Sequence, residues 1–275
     1  MTSTISQKEF EIFQEIVLHL LGIKLSDKKK NMVVARLTKR LRLLKMDSFT
    51  DYINYLQHEI NGENELVEFI NEITTNETYF FRENHHFEFL STFIKEDKQV
   101  RQANEVRIWS AACSTGQEPY SIAMTVLDSI PSPNFKYKIL ATDVNTDVIN
   151  TATNGIYSAV QVDKIPPNLL NRFFEYNPEN GDYSVKKHLK ENIKFQQLNL
   201  LEDKYPLKKQ VDIIFCRNVM IYFDDKAKEH VLTMMHSYLK DDGYLVLGSS
   251  ENLMKYKSLF SRINTTVYKK IIEDK

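Results

Sequence analysis

Past residue 105 the sequence alternates between short apolar runs of strand length and longer runs with helical period, and this alternation constrains the fold more than any other feature. Residues 106–109 (Val-Arg-Ile-Trp) read as a strand, residues 110–116 as a loop of small side chains, and residues 120–130 as a helix. Residues 137–142 form a second strand signal that ends at Asp143. Residues 147–154 read as a helix, with Gly155 as its natural C-cap. A strand at 211–216, a helix at 226–239 and a strand at 244–248 follow, with 266–271 a candidate last strand. Strands alternating with helices predict an α/β fold, a mainly parallel sheet covered on both faces. Ligands of such sheets bind beyond the carboxyl ends of the strands.

The first 75 residues follow a different rule. Phe10, Phe13, Val17, Leu20 and Leu21 recur at helical spacing. Ser26 is a candidate N-cap with Asp27 in the first turn, and Val33, Leu37, Leu41 and Leu44 make the next apolar stripe. Phe49, Tyr52, Ile53 and Leu56 predict a third helix, and Leu66, Phe69, Ile70 and Ile73 a fourth. No proline occurs before Pro119. The expected organisation is an all-α domain at 1–75 and a sheet domain at 76–275. The sheet pattern breaks at about 169–198, where Asn180-Gly181-Asp182 is a turn signal between Phe173-Phe174 and Tyr183-Ser184-Val185. Ile193 to Phe195 adds another short strand, and together these predict a small antiparallel insertion.

Acidic and basic residues nearly cancel, for a formal net charge of -1, which argues against a nucleic-acid partner. Two cysteines, Cys113 and Cys216, do not make a disulfide framework, and a reducing, cytoplasmic setting is expected. The first ten residues lack a secretory pattern, and no apolar run reaches the roughly 18–20 residues of a membrane helix. No membrane insertion is expected, and a monomer is the default.

Four stretches can carry chemistry. Residues 109–120 (Trp-Ser-Ala-Ala-Cys-Ser-Thr-Gly-Gln-Glu-Pro-Tyr) place small side chains where backbone can approach a ligand, although a tight strand-to-helix turn alone would look the same. Asp143 ends the second strand, where nucleoside-binding sheets hold ribose hydroxyls, and an ionised carboxylate suits two hydroxyl donors. Its alternative role is to cap the next helix, a task Asn145 or Asp147 would also perform. In residues 215–223 (Phe-Cys-Arg-Asn-Val-Met-Ile-Tyr-Phe), Arg217 and Asn218 stand at the carboxyl end of a strand, and Tyr222 lies close enough to return to the same cleft. Arg217 offers a planar donor fork suited to a carboxylate, against the alternative of a surface salt bridge, and Tyr222 has the alternative of half-buried core. Residues 75–87 interleave polar residues with aromatics at the joint between the two regions. His85-His86 in this joint invites a metal assignment, but adjacent histidines on a helix diverge and no carboxylate or cysteine completes a set. No metal is expected.

In order and joint presence, these stretches resemble the CheR family of chemotaxis receptor methyltransferases over nearly the whole chain. Ala141-Thr142-Asp143, Asn199-Leu200 and Gly248-Ser249-Ser250-Glu251-Asn252 extend the resemblance. Gln117 and Ser249 depart from it, standing where many members have Glu and His. The resemblance implies a class I, Rossmann-like methyltransferase fold and S-adenosylmethionine as cofactor. It implies that Asn76, Thr78 and Arg82 reach over the cofactor, with Arg82 holding its carboxylate. Glu118 would meet the cationic amino acid end, Asp143 the ribose hydroxyls, and Asn199 and Leu200 the adenine. Arg217, Asn218 and Tyr222 would line the place where a target glutamate meets the methyl group, with Arg217 and Tyr222 as the catalytic pair.

The partners implied are methyl-accepting chemotaxis receptors, in arrays at the inner membrane face. Between residues 24 and 45 the basic residues are Lys24, Lys28, Lys29, Lys30, Arg36, Lys39, Arg40, Arg42 and Lys45, and Asp27 is the only acid. Such a field can steer an acidic partner, and docking through Lys28, Arg36 and Arg40 is expected against the blander reading of a solvated face. Two further readings stand beside receptor methylation: a methyltransferase acting on RNA or a small molecule, and a non-catalytic sensor that binds cofactor or receptor.

Overall fold

A computed structural model describes residues 5–272 apart from 58, 131 and 133, so the outermost bounds expected at 1 and 275 lie outside it. The chain opens with helices α1 (Gln7–Leu21), α2 (Lys30–Leu44), α3 (Phe49–Gln57) and α4 (Glu59–Ile73). After the joint come α5 (His85–Glu96), α6 (Lys98–Ala103), β1 (Glu105–Ala111), α7 (Gln117–Ser129), β2 (Lys136–Asp143) and α8 (Thr146–Asn154). The middle of the chain gives β3 (Ile156–Ser158), α9 (Ala159–Val162), α10 (Pro167–Phe173), β4 (Phe174–Asn177), β5 (Asp182–Val185) and α11 (Lys187–Lys190). It ends with β6 (Ile193–Gln197), β7 (Val211–Cys216), α12 (Asp225–Tyr238), β8 (Leu239–Leu247), β9 (Phe260–Arg262) and β10 (Val267–Lys270).

Local chemistry fixes the helix ends. Ser6 and Glu9 form a reciprocal capping box at the start of α1, and Gly22 ends it in the left-handed region. Ser26 stands in the N-cap position as expected, but the turn it opens is a 3-10 helix, Asp27–Lys29, that leads into α2. The four N-terminal helices bury one shared core in which Phe13 touches Phe49, Tyr52 and Phe69.

The sheet order is β6-β2-β1-β7-β8-β10-β9, with the pairs β8–β10 and β10–β9 antiparallel and the other neighbours parallel. β1 leads to β2 and β6 on one side and β7 leads to β8 on the other. The direction of winding therefore reverses between β1 and β7, the switch point where open α/β sheets bind ligands. One face packs with α5 and α7, the other with α12.

The antiparallel insertion is β3-β5-β4, with β4 and β5 joined through Asn180-Gly181-Asp182. Residues 193–195 do not belong to it. They pair in parallel with β2 as an edge of the main sheet, which sets Phe195 5.6 Å from the Tyr120 ring. The five-residue pairing with β2 places it there, and a period-two run of five residues carries no mark of which sheet it joins.

The expectation for Arg36 and Arg40 is corrected by α4. Arg40 binds the buried Glu65 carboxylate through Nε (3.0 Å) and Nη2 (2.5 Å) and reaches Glu68 at 3.1 Å, while Tyr52 donates to Glu65 at 2.8 Å. Arg36 donates to the carbonyls of Glu72, Ile73 and Thr74. Both guanidinium groups thus hold α2 to α4, because unpaired helix-end carbonyls and a buried carboxylate need donors. Lys28 stays exposed. Among the described residues no helix is long and apolar enough to cross a membrane. Removing one member of a buried pair strands the other charge, so Arg40→Met is expected to cost about 3–5 kcal/mol in urea unfolding. Adding Glu65→Gln, which keeps an acceptor for Tyr52 and discharges the site, is expected to recover much of that loss.

Candidate active site

A cleft lies across the switch point, where the loops after β1 and β7 face the helical domain. All ten residues singled out from the sequence reach its wall: Asn76, Thr78, Arg82, Glu118, Asp143, Asn199, Leu200, Arg217, Asn218 and Tyr222. Leu21, Ile23, Leu25 and Lys29 of the helical domain also line it.

The loop after β1 is wound tightly. Ala112 and Ser114 adopt positive φ (69° and 50°), and Gly116 takes φ 96° against Ala152, where a Cβ would come within 2.8 Å. Non-glycine residues pay for such backbone, and its presence beside a cleft marks a site shaped for function. The loop turns its Ser114 N–H onto Asp143 Oδ2 at 2.8 Å, and Asn145 N–H meets Oδ1 at 3.0 Å. Asp143 remains on the cleft wall, where its carboxylate can accept a further donor. Burial raises the Asp143 pKa, against the pull of those backbone donors. The cap of α8 is Asn145, whose side chain accepts from Asp147 and Val148 N–H, so Asp143 is not consumed by that task.

Arg217 lines the cleft with its side chain only 2% exposed. Its Nη1 donates to Glu118 Oε2 at 2.8 Å, while Ser110 donates to the other Glu118 oxygen at 2.7 Å. Its Nη2 meets the Arg82 carbonyl and lies 3.4 Å from Glu83 Oε2. The carboxylates that this fork meets are therefore the chain's own, which differs from the expectation that it would face a substrate carboxylate. The buried guanidinium takes the nearest available acceptors, and these come from the joint and from α7.

The joint is held where it can reach over the cleft. Phe80 is buried against Tyr157 (5.0 Å) and Phe174 (5.6 Å), and Ser114 donates to the Asn76 carbonyl at 2.9 Å. Arg82 Nη1 donates to the Glu77 carbonyl at 2.7 Å, and no carboxylate pairs with Arg82 among the described residues. Asn199 donates to the Leu20 carbonyl at 2.7 Å and so ties the cleft to the helical domain.

Two features correct or extend the sequence reading. The rings of His85 and His86 do not diverge: their centroids are 4.1 Å apart, and both Nε2 atoms turn to the Thr266 hydroxyl at 3.2 and 2.7 Å. Glu83 joins them, so three groups offer ligand atoms within 4.8 Å of one another. Glu83, with φ 57°, sets its carboxylate 3.6 Å from His86 Nδ1. The Arg217 guanidinium already stands beside this cluster. Burial first, then Arg217 and His85, pull the His86 pKa down to about 2, so the ring is neutral.

Glu251 was the functional residue whose role the sequence did not assign. One oxygen accepts from Val219 and Met220 N–H (3.0 and 2.8 Å), the other from Asn218 and Gly248 N–H (2.8 and 2.7 Å). Four donors leave no acceptor for a carboxyl proton, so the geometry fits the ionised form, although burial pushes its pKa up. The anchor fixes Asn218 in the left-handed region (φ 58°) with its amide against Gly248, where a Cβ would lie 2.5 Å from Asn218 Nδ2. The only sequence signal was an acid after the Gly-Ser-Ser turn that follows a strand. Glu251→Gln would set an amide against N–H donors, and each orphaned donor costs about 1–3 kcal/mol. The variant is expected to lose stability in urea unfolding and at least about tenfold in turnover, since a displaced side chain at a reaction centre is costly.

Comparison with known proteins agrees with this architecture. Residues 8–74 match the family model of the CheR methyltransferase all-alpha domain, and residues 76–269 that of the CheR methyltransferase SAM binding domain. The chemotaxis protein methyltransferase of Borreliella burgdorferi is 41% identical, over 97% of this chain and 95% of its own length. Those of Salmonella typhimurium and Escherichia coli are 40% and 39% identical, each over 96% of this chain and 90% and 91% of their own. With the two family models covering the helical domain and the sheet domain in turn, the chain belongs to the CheR methyltransferase family.

Proposed function

We propose that the chain esterifies glutamate side chains of methyl-accepting chemotaxis receptors, with S-adenosylmethionine as methyl donor. The observation that carries this reading is the convergence of Asp143, Glu118, Arg82, Asn218 and Tyr222 on one cleft at the switch point, in a chain whose sheet domain matches the family's cofactor-binding model. The residues present fit that cofactor. Asp143 presents an acceptor-only carboxylate on the cleft wall, Arg82 is a cation without a carboxylate partner among the described residues, and Leu198 and Leu200 offer an apolar wall. Bound there, the cofactor supplies a sulfonium-activated methyl group.

The chain's own residues then have little chemistry to perform. A glutamate carboxylate has a reference pKa of about 4.3 and is already ionised at neutral pH, so no general base is required. The protein has to orient it, and orientation can be worth ~7–11 kcal/mol. Asn218, set by Glu251, and Tyr222, at the end of the 3-10 turn Met220–Tyr222, flank its path. Tyr222 is assigned the donor role towards the oxygen that does not attack. Arg217 serves as the buried brace that fixes Glu118 and the joint. Receptor docking is assigned to the exposed charge of Lys28 together with Lys39, Arg42 and Lys45, since Arg36 and Arg40 are committed to α4. The chain is placed in the cytoplasm beside receptor arrays, acting as a monomer without nucleic acid.

Incubation with methyl-labelled S-adenosylmethionine and chemoreceptor membranes is expected to leave base-labile label on the receptor. Tyr222→Phe is expected to lower turnover by roughly tenfold, the worth of about one hydrogen bond to a charged group, and Arg217→Ala by more. Full rates in both variants would remove the assignment. Raising ionic strength should weaken receptor binding more than cofactor binding.

A further inference from the structure

Lys29 stands apart from the other cations of its segment. It closes the 3-10 turn Asp27–Lys29, yet it lines the cleft beside Tyr222, with Nζ 4.4 Å from the centroid of that ring. Of the other cations on the cleft wall, Arg217 is sealed against Glu118 and Glu83. Arg82 belongs to the joint and is fastened to the Glu77 carbonyl. Lys29 has no carboxylate partner among the described residues, and its side chain is half-buried. Burial, then the charge of Arg36, lower its pKa, as befits a cation held without its counter-ion. A partly desolvated ammonium over an aromatic face, beside the tyrosine proposed to receive the substrate, lacks only an anion.

We propose that Lys29 is the residue that selects the ionised target: its ammonium pairs with the incoming glutamate carboxylate and hands it to Tyr222. This rests on the methylation reading above. In the transfer, one carboxylate oxygen forms the bond to the methyl carbon, and the sulfur–methyl bond breaks with its electron pair kept by sulfur. No proton moves. The substrate enters as an anion and leaves as a neutral ester, so the ion pair with Lys29 exists before the reaction and not after it. The contact therefore favours glutamate over glutamine and over the finished ester. An interaction strongest in the ground state lowers KM without raising kcat. Its removal then has an unusual signature.

The test is steady-state methylation of receptor membranes by Lys29→Met, Lys29→Arg and Lys28→Met, with cofactor affinity measured by calorimetry. For Lys29→Met, KM for receptor is expected to rise about tenfold, the range of a hydrogen bond to a charged group. Its kcat is expected to stay at or above the wild-type value, with cofactor Kd unchanged. Lys29→Arg should recover most of the loss. The Lys29→Met effect should persist at high salt, where the effect of Lys28→Met, an exposed steering charge, fades. An unchanged KM in Lys29→Met, a fall in kcat with no change in KM, or a matching loss of cofactor affinity would each overturn the proposal. Absence of receptor labelling by the wild-type chain would instead remove the methylation reading, and this assignment with it.

Discussion

The ion pair between Arg217 and Glu118 is the interaction on which the site depends. Both groups are buried at the switch point, and each is expensive to hold there alone. Its partners therefore extend outward until the charge is shared: Ser110 from β1, Glu83 and the Arg82 carbonyl from the joint, and beyond them His86 and Thr266. Burial first, and then the charge of Arg217, keep His86 neutral. One charged pair thus fastens the carboxyl end of β7, the start of α7 and the segment that reaches over the cleft.

Glu251 answers a different need. The chain after β7 leaves three successive N–H groups with no partner in the sheet, and one carboxylate takes all three and the Gly248 N–H as well. At the far end of the same segment, Ile23 and Phe223 form an isolated antiparallel bridge. Lys24 N–H donates to the Tyr222 carbonyl and Asp224 N–H to the Gly22 carbonyl. The strand-like stretch between α1 and α2 and the segment carrying Tyr222 are therefore pinned together. The cleft belongs to both domains, which is why Lys29 can reach it.

Much of the fold was legible because it rests on local patterns. The alternation beyond residue 105 located the central strands, Gly155 marked the end of α8, and turn chemistry at 180–182 located the hairpin. Asp143, Arg217, Asn218 and Tyr222 were found at or just after strand ends, where backbone geometry leaves side chains free to meet a ligand, and the other cleft residues through the family resemblance. What remained hidden depended on groups far apart in sequence. The basic run at 24–45 looked unopposed because its acids, Glu65 and Glu68, lie a helix away. Residues 193–195 had the length and period of either sheet. The fork of Arg217 declared its preference for a carboxylate, but not that Glu118, 99 residues earlier, would supply it.

The bridge at Ile23 has a consequence for how the two domains can evolve. Ile23 packs against both the helical core and the core beneath α12, and Gly22 beside it has no room for a side chain against Ala227 and Leu201. The helical domain is therefore not an interchangeable cartridge. A lineage that acquired a new one by recombination would inherit a mismatched seam and, with it, a displaced Tyr222. Change in what the domain recognises is confined to its outward face, while the inward face is bound to drift only in step with the sheet domain.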